Sequence, residues 1–112
     1  MGVKVWIVEK YVSAGGQIPF DRWFDSLDDD VQARIDARID RLSLGNFGDF
    51  KNLGGGVYEL RFFVGPGYRI YFGKADNRIV LLLCGGDKRS QRKDIKIAQG
   101  LWRQYLSEKK RQ

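Results

Sequence analysis

Alternating apolar and polar residues over 57–64 and 68–73 predict two strands joined by the loop Gly65-Pro66-Gly67. Strand side chains point to opposite faces in turn, and a three-residue loop pairs Arg61 with Tyr71 across this hairpin. One face is then apolar, while the other carries Glu59, Arg61, Phe63, Arg69 and Tyr71. Because arginine binds phosphate bidentately and stays charged, this second face is suited to hold phosphate. The alternative is a solvated outer face on which the arginines only aid solubility.

Two helices are predicted before this hairpin. Residues 3–9 are β-rich, and Pro19 suits the first turn of a short helix over 19–27. The run Asp28-Asp29-Asp30 supplies a cap and favourable charges for a second helix that stops at Gly45-Asn46. Its apolar positions recur at helical spacing and are Val31, Ile35, Ile39 and Leu42. A glycine-rich loop is expected over 45–56.

A further strand and a last helix follow the hairpin. Residues 79–84 are apolar at both odd and even positions. This pattern predicts a strand in the middle of the sheet that is covered on both faces. Ser90 can cap the last helix. The apolar stripe of that helix consists of Ile95, Ala98, Leu101, Trp102 and Tyr105.

These elements predict an α+β fold. It has an N-terminal strand, two helices, a three-stranded antiparallel meander and a C-terminal helix, in one domain over 1–112. A chain of 112 residues buries enough surface to fold without disulfides or metals. The lone Cys84 lies in the apolar strand and is expected to be a buried small hydrophobe.

Charge narrows the class of partner. The formal net charge of +6 favours nucleic acid, an anionic membrane surface or an acidic protein. No stretch approaches the roughly 20 apolar residues of a membrane span, and the opening segment has no long apolar core. We therefore expect a soluble, unexported, cytoplasmic protein with no membrane partner.

The chain contains no histidine, which removes the commonest acid and base near neutral pH. Acidic residues are spread among helix caps and turns, without the clustering that a two-metal nuclease needs. Any chemistry is therefore expected to need no metal and no other cofactor.

The available catalytic groups are cationic. Arg61 and Arg69, with Lys51 and the loop Asp87-Lys88-Arg89, could stabilise a five-coordinate phosphorane formed by an RNA 2′-hydroxyl. A lysine among arginines releases its proton more readily, so Lys88 or Lys51 is a candidate proton donor. Glu59 is either a base or, as we favour, a group that orients Arg61.

A stripe of arginines follows the second helix. Arg34, Arg38 and Arg41 fall on one side of it, apart from the apolar positions. The stripe is either a solvated face supported by a pair between Asp30 and Arg34 or a surface that binds a protein partner.

Several short motifs together resemble a known family. They are Gly45-Asn46-Phe47-Gly48-Asp49-Phe50-Lys51, Gly56-Val57-Tyr58-Glu59-Leu60-Arg61, Gly65-Pro66-Gly67-Tyr68-Arg69-Ile70-Tyr71 and Leu83-Cys84-Gly85-Gly86-Asp87-Lys88, followed by Gln91 and Asp94. The chain resembles the addiction-module killer proteins, the phage Gp49-like and HigB-like branch of the RelE/ParE toxin superfamily. This resemblance runs from Pro19 to about Trp102.

The resemblance implies a RelE-like fold and the toxin role in a type II toxin–antitoxin pair. The implied activity is ribosome-dependent cleavage of mRNA, and Arg61, Arg69 and Lys88 match basic catalytic positions of RelE-type toxins. RNA contacts are expected from Lys51, Tyr71, Arg89 and Gln91. The implied partner is a cognate antitoxin, a small helix-turn-helix protein. It either covers Arg61, Arg69 and Lys88 or, as we favour, binds away from the active face at Arg34, Arg38 and Arg41 and keeps the toxin off the ribosome.

Two positions depart from the RelE pattern. Glu59 stands where RelE has a lysine. The tyrosine or histidine that better-known members use for proton transfer is missing, and Asp87 or Asp94 lies nearest to its position. The identity of the proton donor therefore stays open. Two other functions also stay open, a ParE-like inhibitor of DNA gyrase without catalysis and a nucleic-acid-binding module without catalysis.

Overall fold

The computed structural model describes residues 5–111, in which five strands form one sheet and helices cover both of its faces. In chain order the elements are β1 (Ile7–Lys10), α1 (Pro19–Phe24), α2 (Asp29–Ser43), β2 (Phe50–Gly54), β3 (Val57–Arg61), β4 (Arg69–Ala75), β5 (Ile79–Gly86) and α3 (Gln91–Lys110). The α+β class is confirmed. The first residues of the predicted N-terminal strand lie outside the described residues, and that strand is observed as β1.

The strand order across the sheet is β1-β5-β4-β3-β2. The meander of β3, β4 and β5 is antiparallel as predicted, but the sheet is wider and mixed, because β1 pairs with β5 in parallel and β2 pairs with β3. Strand β2 lies within the segment 45–56, for which a loop was predicted. Gly55 and Gly56, with φ angles of +63° and +88°, form the two-residue turn of a β2–β3 hairpin. Glycine, asparagine and aspartate are the residues that adopt such positive φ angles readily, so the glycines that suggested a loop form the turn between two strands.

The β3–β4 register differs from the prediction by two residues. Arg61 is opposite Arg69, where the predicted loop paired Arg61 with Tyr71. Residues 62–68 connect the two strands, and this connection is longer than the predicted three-residue loop Gly65-Pro66-Gly67. A shift of two keeps the facing of every side chain, so the predicted division of residues between the two faces survives.

Helix α2 ends where its sequence predicts. The N–H of Gly45 donates to the Leu42 carbonyl at 2.9 Å, and the N–H of Asn46 donates to the Arg41 carbonyl at 2.9 Å. With Gly45 at φ +87°, these bonds form a Schellman motif. Helix α1 is shorter than predicted and ends at Phe24.

The two faces of the sheet carry separate apolar clusters. Helices α1 and α2 cover one face, with Phe20, Ile35 and Leu42 against the sheet residues. Helix α3 covers part of the other face through Ala98 and Trp102. The alternative of a solvated second face does not hold where α3 lies, because the apolar stripe of this helix packs on that face. The strand over 79–84, now β5, is buried on both faces as predicted.

Candidate functional site

Arg61 lies at the end of β3, beside the segment that enters β2. Its Nη2 is 3.1 Å from Asp49 Oδ1, and its backbone N–H donates to the Asp49 carbonyl at 3.1 Å. The Arg61 side chain is 35% exposed, and its buried Nε has no hydrogen-bond partner among residues 5–111. No role was predicted for Asp49, which reaches this position because a bulge between Asn52 and Gly54 shifts the β2–β3 register by one residue.

Arg69 lies opposite Arg61 but has a different acidic partner. Its Nε is 3.8 Å from Glu59 Oε2, and its Nη1 donates to the Gly67 carbonyl at 2.6 Å. The side chain of Arg69 is 12% exposed and that of Glu59 is 1% exposed. Glu59 therefore forms its ion pair with Arg69, whereas it was predicted to orient Arg61.

Glu59 also connects the sheet to α3. Gln91, the first residue of that helix, donates from Nε2 to Glu59 Oε2 at 2.8 Å. Tyr71 pairs with Glu59 across β3 and β4 and is fully buried. Burial, followed by the charge of Glu59, raises the pKa of Tyr71 above its ordinary value. Of the expected RNA contacts, Gln91 is thus half-buried and bound to Glu59, and Tyr71 presents no surface to RNA.

The loop before α3 brings two cations to the same end of the sheet. The backbone N–H of Lys88 donates to the Pro66 carbonyl at 3.3 Å, and the side chains of Lys88 and Arg89 are exposed. Asp87 fixes this loop because its carboxylate accepts from the N–H groups of Arg89 and Ser90, at 2.9 and 3.1 Å. Ser90 is the N-cap residue of α3, but its side chain makes no capping hydrogen bond to the first turn of the helix.

Lys51 lies on β2 directly across from Glu59, with an exposed side chain. The structure thus brings Glu59, Arg69 and Gln91 into contact, with Lys51 on the edge strand and Lys88 beside the β3–β4 loop. We call this group the Arg69 site.

The arginines of α2 do not form the uniform stripe that their spacing predicted. Arg34 and Arg41 are exposed, while Arg38 is half-buried and donates to the carbonyls of Arg61 and Asp49 at 2.8 and 3.0 Å. Burial, followed by the charge of Arg41, lowers the pKa of Arg38, and the charge of Asp49 opposes this change.

These three arginines and Arg61 line one cleft of about 550 Å³ between α2, the segment before β2 and the β3–β4 loop. Asp49 also lines it. We call it the arginine cleft. The predicted partner-binding residues therefore lie with Arg61, a predicted catalytic residue, while Glu59, Arg69 and Lys88 are outside the residues that line the cleft.

Residues 22–103 match the profile of the family described as phage derived protein Gp49-like (DUF891). The chain belongs to the Gp49-like family. A relative described as an uncharacterized protein, from Haemophilus influenzae, is 49% identical over 82 residues, which are 72% of this chain and 83% of that protein. Gp49-like proteins are commonly toxins of toxin–antitoxin systems. The Gp49-like part of the sequence resemblance is thus confirmed, and assignment to its HigB-like branch stays a prediction.

The segment matched by the Gp49-like profile contains both the Arg69 site and the arginine cleft. Within residues 5–111, no group of three or more Cys, Asp and Glu side chains is placed to hold a metal ion. No helix in this part of the chain combines the length and apolar composition needed to cross a membrane.

Asp94, one of the two acids nearest the missing proton donor, lies in a different environment. It is 8% exposed and accepts a hydrogen bond from the Ser90 hydroxyl at 2.5 Å. Together with Trp23 and Cys84 it lines a second cavity, of about 630 Å³, between α1 and α3. Burial, assisted by the charge of Asp94, raises the pKa of the Cys84 thiol to about 12. Cys84 is buried and free, as predicted.

Proposed function

We propose that this Gp49-like protein is the toxin of a type II toxin–antitoxin system and cleaves mRNA on the ribosome. The observation that supports this most is the position of Arg61 directly opposite Arg69, each oriented by its own carboxylate at the same end of the sheet. Two fixed guanidinium groups can hold the non-bridging oxygens of one phosphodiester and stabilise the charge that develops there. Family membership supports the toxin role.

In the proposed reaction the substrate supplies its own nucleophile. The RNA 2′-hydroxyl oxygen attacks the adjacent phosphorus and gives its proton to water, while the bond from phosphorus to the 5′-oxygen breaks. Lys88, exposed beside the β3–β4 loop, gives a proton to the departing 5′-oxygen. The products carry a 2′,3′-cyclic phosphate and a 5′-hydroxyl.

The proposed reaction requires no metal ion. The acids nearest the arginine pair are already engaged, since Asp49 contacts Arg61, and Glu59 contacts both Arg69 and Gln91. In this arrangement the carboxylates orient cations that bind phosphate, rather than acting as ligands of Mg²⁺.

Metabolic labelling of cells after brief induction of the protein tests this function. Incorporation of radioactive methionine should fall before incorporation of thymidine, because mRNA is the proposed target. The Arg69→Ala variant should lose the effect, and Arg103→Ala, which removes an exposed arginine on α3, should keep it. An early fall in thymidine incorporation with DNA-damage signalling would instead indicate a ParE-like action on gyrase.

A further inference from the structure

The arginine cleft is rigid on the side formed by Arg38. Besides its bonds to the Arg61 and Asp49 carbonyls, the Arg38 guanidinium lies over the Phe62 ring, 4.9 Å from its centroid. Gly48 has φ +62°, and a Cβ there would lie 3.0 Å from Arg38 Nη2, so this glycine lets the loop pass closely over the arginine. Arg38 thus joins α2 to the segment before β2 and to the end of β3.

The charge of the cleft is strongly unbalanced. Four arginines line it and Asp49 is the one acid among the lining residues. Asp49 is directed toward Arg61, while Arg34 and Arg41 remain exposed on α2. Since exposed arginines bind phosphate well, the cleft offers at least two cationic groups to an anionic ligand.

An exposed aromatic ring lies at the same cleft. Phe63 directly follows the buried Phe62 in the β3–β4 loop, yet it is 83% exposed and lines the cleft. Aromatic rings beside a basic groove are the arrangement on which single-stranded nucleic acids stack their bases.

We propose that the arginine cleft binds a segment of single-stranded RNA, with phosphates at Arg34 and Arg41 and a base stacked on Phe63. This inference rests on the proposed function and extends it, because Arg61 lines the cleft and also lies opposite Arg69. The RNA would therefore run from the Arg69 site past Arg61 and into the cleft, which acts as a second binding subsite distant from the cleaved bond.

The composition of the cleft favours RNA over a protein partner. A partner helix needs a groove that takes several apolar anchors. The apolar surface of this cleft is limited to Phe63 and Val64 at the β3–β4 loop, since Phe62 is buried and Ala37 is small. A single-stranded RNA segment fits this composition better, because its phosphates can bind the arginines and one of its bases can stack on Phe63.

Fluorescence anisotropy with two labelled probes tests the proposal. The first is hexaadenylate RNA, and the second is a ribose-phosphate strand of the same length without bases. Both are titrated against the full chain at several salt concentrations. The variants are the double substitution Arg34→Ala with Arg41→Ala and the single substitution Phe63→Ala. Their matched controls are Arg78→Ala with Arg103→Ala, and Leu106→Ala, all exposed positions outside the cleft.

The double cleft variant should weaken binding of both probes and lower the slope of log Kd against log salt by about 1.4, or about 0.7 for each lost phosphate contact. Phe63→Ala should weaken hexaadenylate binding about tenfold and leave the abasic strand unaffected, because only a base can stack. Circular dichroism of each variant confirms that it remains folded. The two control variants should bind like the parent, apart from a small general effect of charge.

An equal loss of RNA affinity in the Arg34→Ala, Arg41→Ala double variant and in its charge-matched control, Arg78→Ala with Arg103→Ala, would overturn the proposal. So would a Phe63→Ala variant whose affinity for the abasic strand falls, relative to the parent, by as much as its affinity for hexaadenylate. Unchanged RNA binding in the double cleft variant, with loss of the antitoxin complex, would make the cleft a protein contact. If the parent still arrests translation in the labelling experiment while cleft variants bind RNA normally, the proposed function stands and the cleft proposal alone fails.

Discussion

Arg61 and Arg69 lie directly opposite each other on β3 and β4, yet two different acids hold their guanidinium groups. Like charges opposite each other in an antiparallel pair are destabilising. Asp49 offsets the charge of Arg61 from the β2 side, and Glu59 offsets that of Arg69 from within β3. The two acids thus offset the charges of two arginines that the strand pairing places opposite each other.

The Arg69–Glu59 pair should contribute more to stability than the Arg61–Asp49 pair. Glu59→Gln leaves the poorly exposed Arg69 without an acidic partner, so we expect the free energy of unfolding to fall by about 2 kcal/mol. Asp49→Asn breaks a pair whose side chains are about one-third exposed and should cost less than about 1 kcal/mol. Urea unfolding followed by tryptophan fluorescence measures both changes, and a larger loss for Asp49→Asn would contradict this ranking.

Arg38 should behave as a structural residue, unlike its neighbour one turn away. Arg38→Ala removes the guanidinium donor of the Arg61 carbonyl, one of the two donors of the Asp49 carbonyl and the contact with Phe62, so we expect a loss of about 2 kcal/mol in unfolding free energy. Arg34→Ala, on the exposed side of the same helix, should change it by less than about 0.5 kcal/mol. Denaturant midpoints compare the two, and equal midpoints would mean that the bonds of Arg38 contribute nothing to stability.

Stability should fall at alkaline pH partly because of Cys84. Burial raises the pKa of its thiol from 9.0 to about 12, so between these values the unfolded chain loses the thiol proton and the folded chain keeps it. The unfolded state then binds fewer protons, and unfolding becomes more favourable as pH rises. Cys84→Ala should lose less stability than the parent between about pH 8 and about pH 10.5 in urea unfolding. Parallel losses in the two proteins would show that the thiol does not contribute.

The facing of the site residues could be predicted from the sequence, but their surroundings could not. Strand alternation alone placed Glu59, Arg61 and Arg69 on one face, and this survived an error of two residues in the register because the side-chain period is two. The partners of the arginines depended on β2. The glycines at positions 54–56 indicated a loop, so β2 was not predicted. Without β2, no neighbour of Asp49 could be predicted.

The burial of Tyr71 required knowing where α3 packs. The stripe containing Ala98 and Trp102 indicated that this helix has an apolar side, but periodicity does not tell which surface of the sheet receives it. Once α3 lies on the face that carries Glu59, Tyr71 is covered and Gln91 reaches the carboxylate. Similarly, helical spacing put Arg38 in line with Arg34 and Arg41, and only the tertiary structure shows that its guanidinium binds backbone carbonyls.

The proposed antitoxin should associate faster at low salt. The chain carries a formal net charge of +6, so an acidic partner is attracted over distances that salt screens. Co-expression with the product of a neighbouring helix-turn-helix gene should give a stable complex and restore growth. Stopped-flow mixing should then show association at least about tenfold faster at low than at high ionic strength. Absence of a complex with any neighbouring product would favour a stand-alone nucleic-acid-binding module.

Single-turnover cleavage of mRNA on programmed ribosomes tests the central claim most directly. The parent should give fragments with a 2′,3′-cyclic phosphate and a 5′-hydroxyl, at a rate about 100-fold above that of Arg61→Ala or Arg69→Ala, because each variant loses one group that stabilises the transition-state charge. Arg103→Ala, which changes an exposed residue of α3, should cleave like the parent. Fragments with 5′-phosphate ends, or undiminished cleavage by both arginine variants, would contradict the proposed role of the Arg61–Arg69 pair.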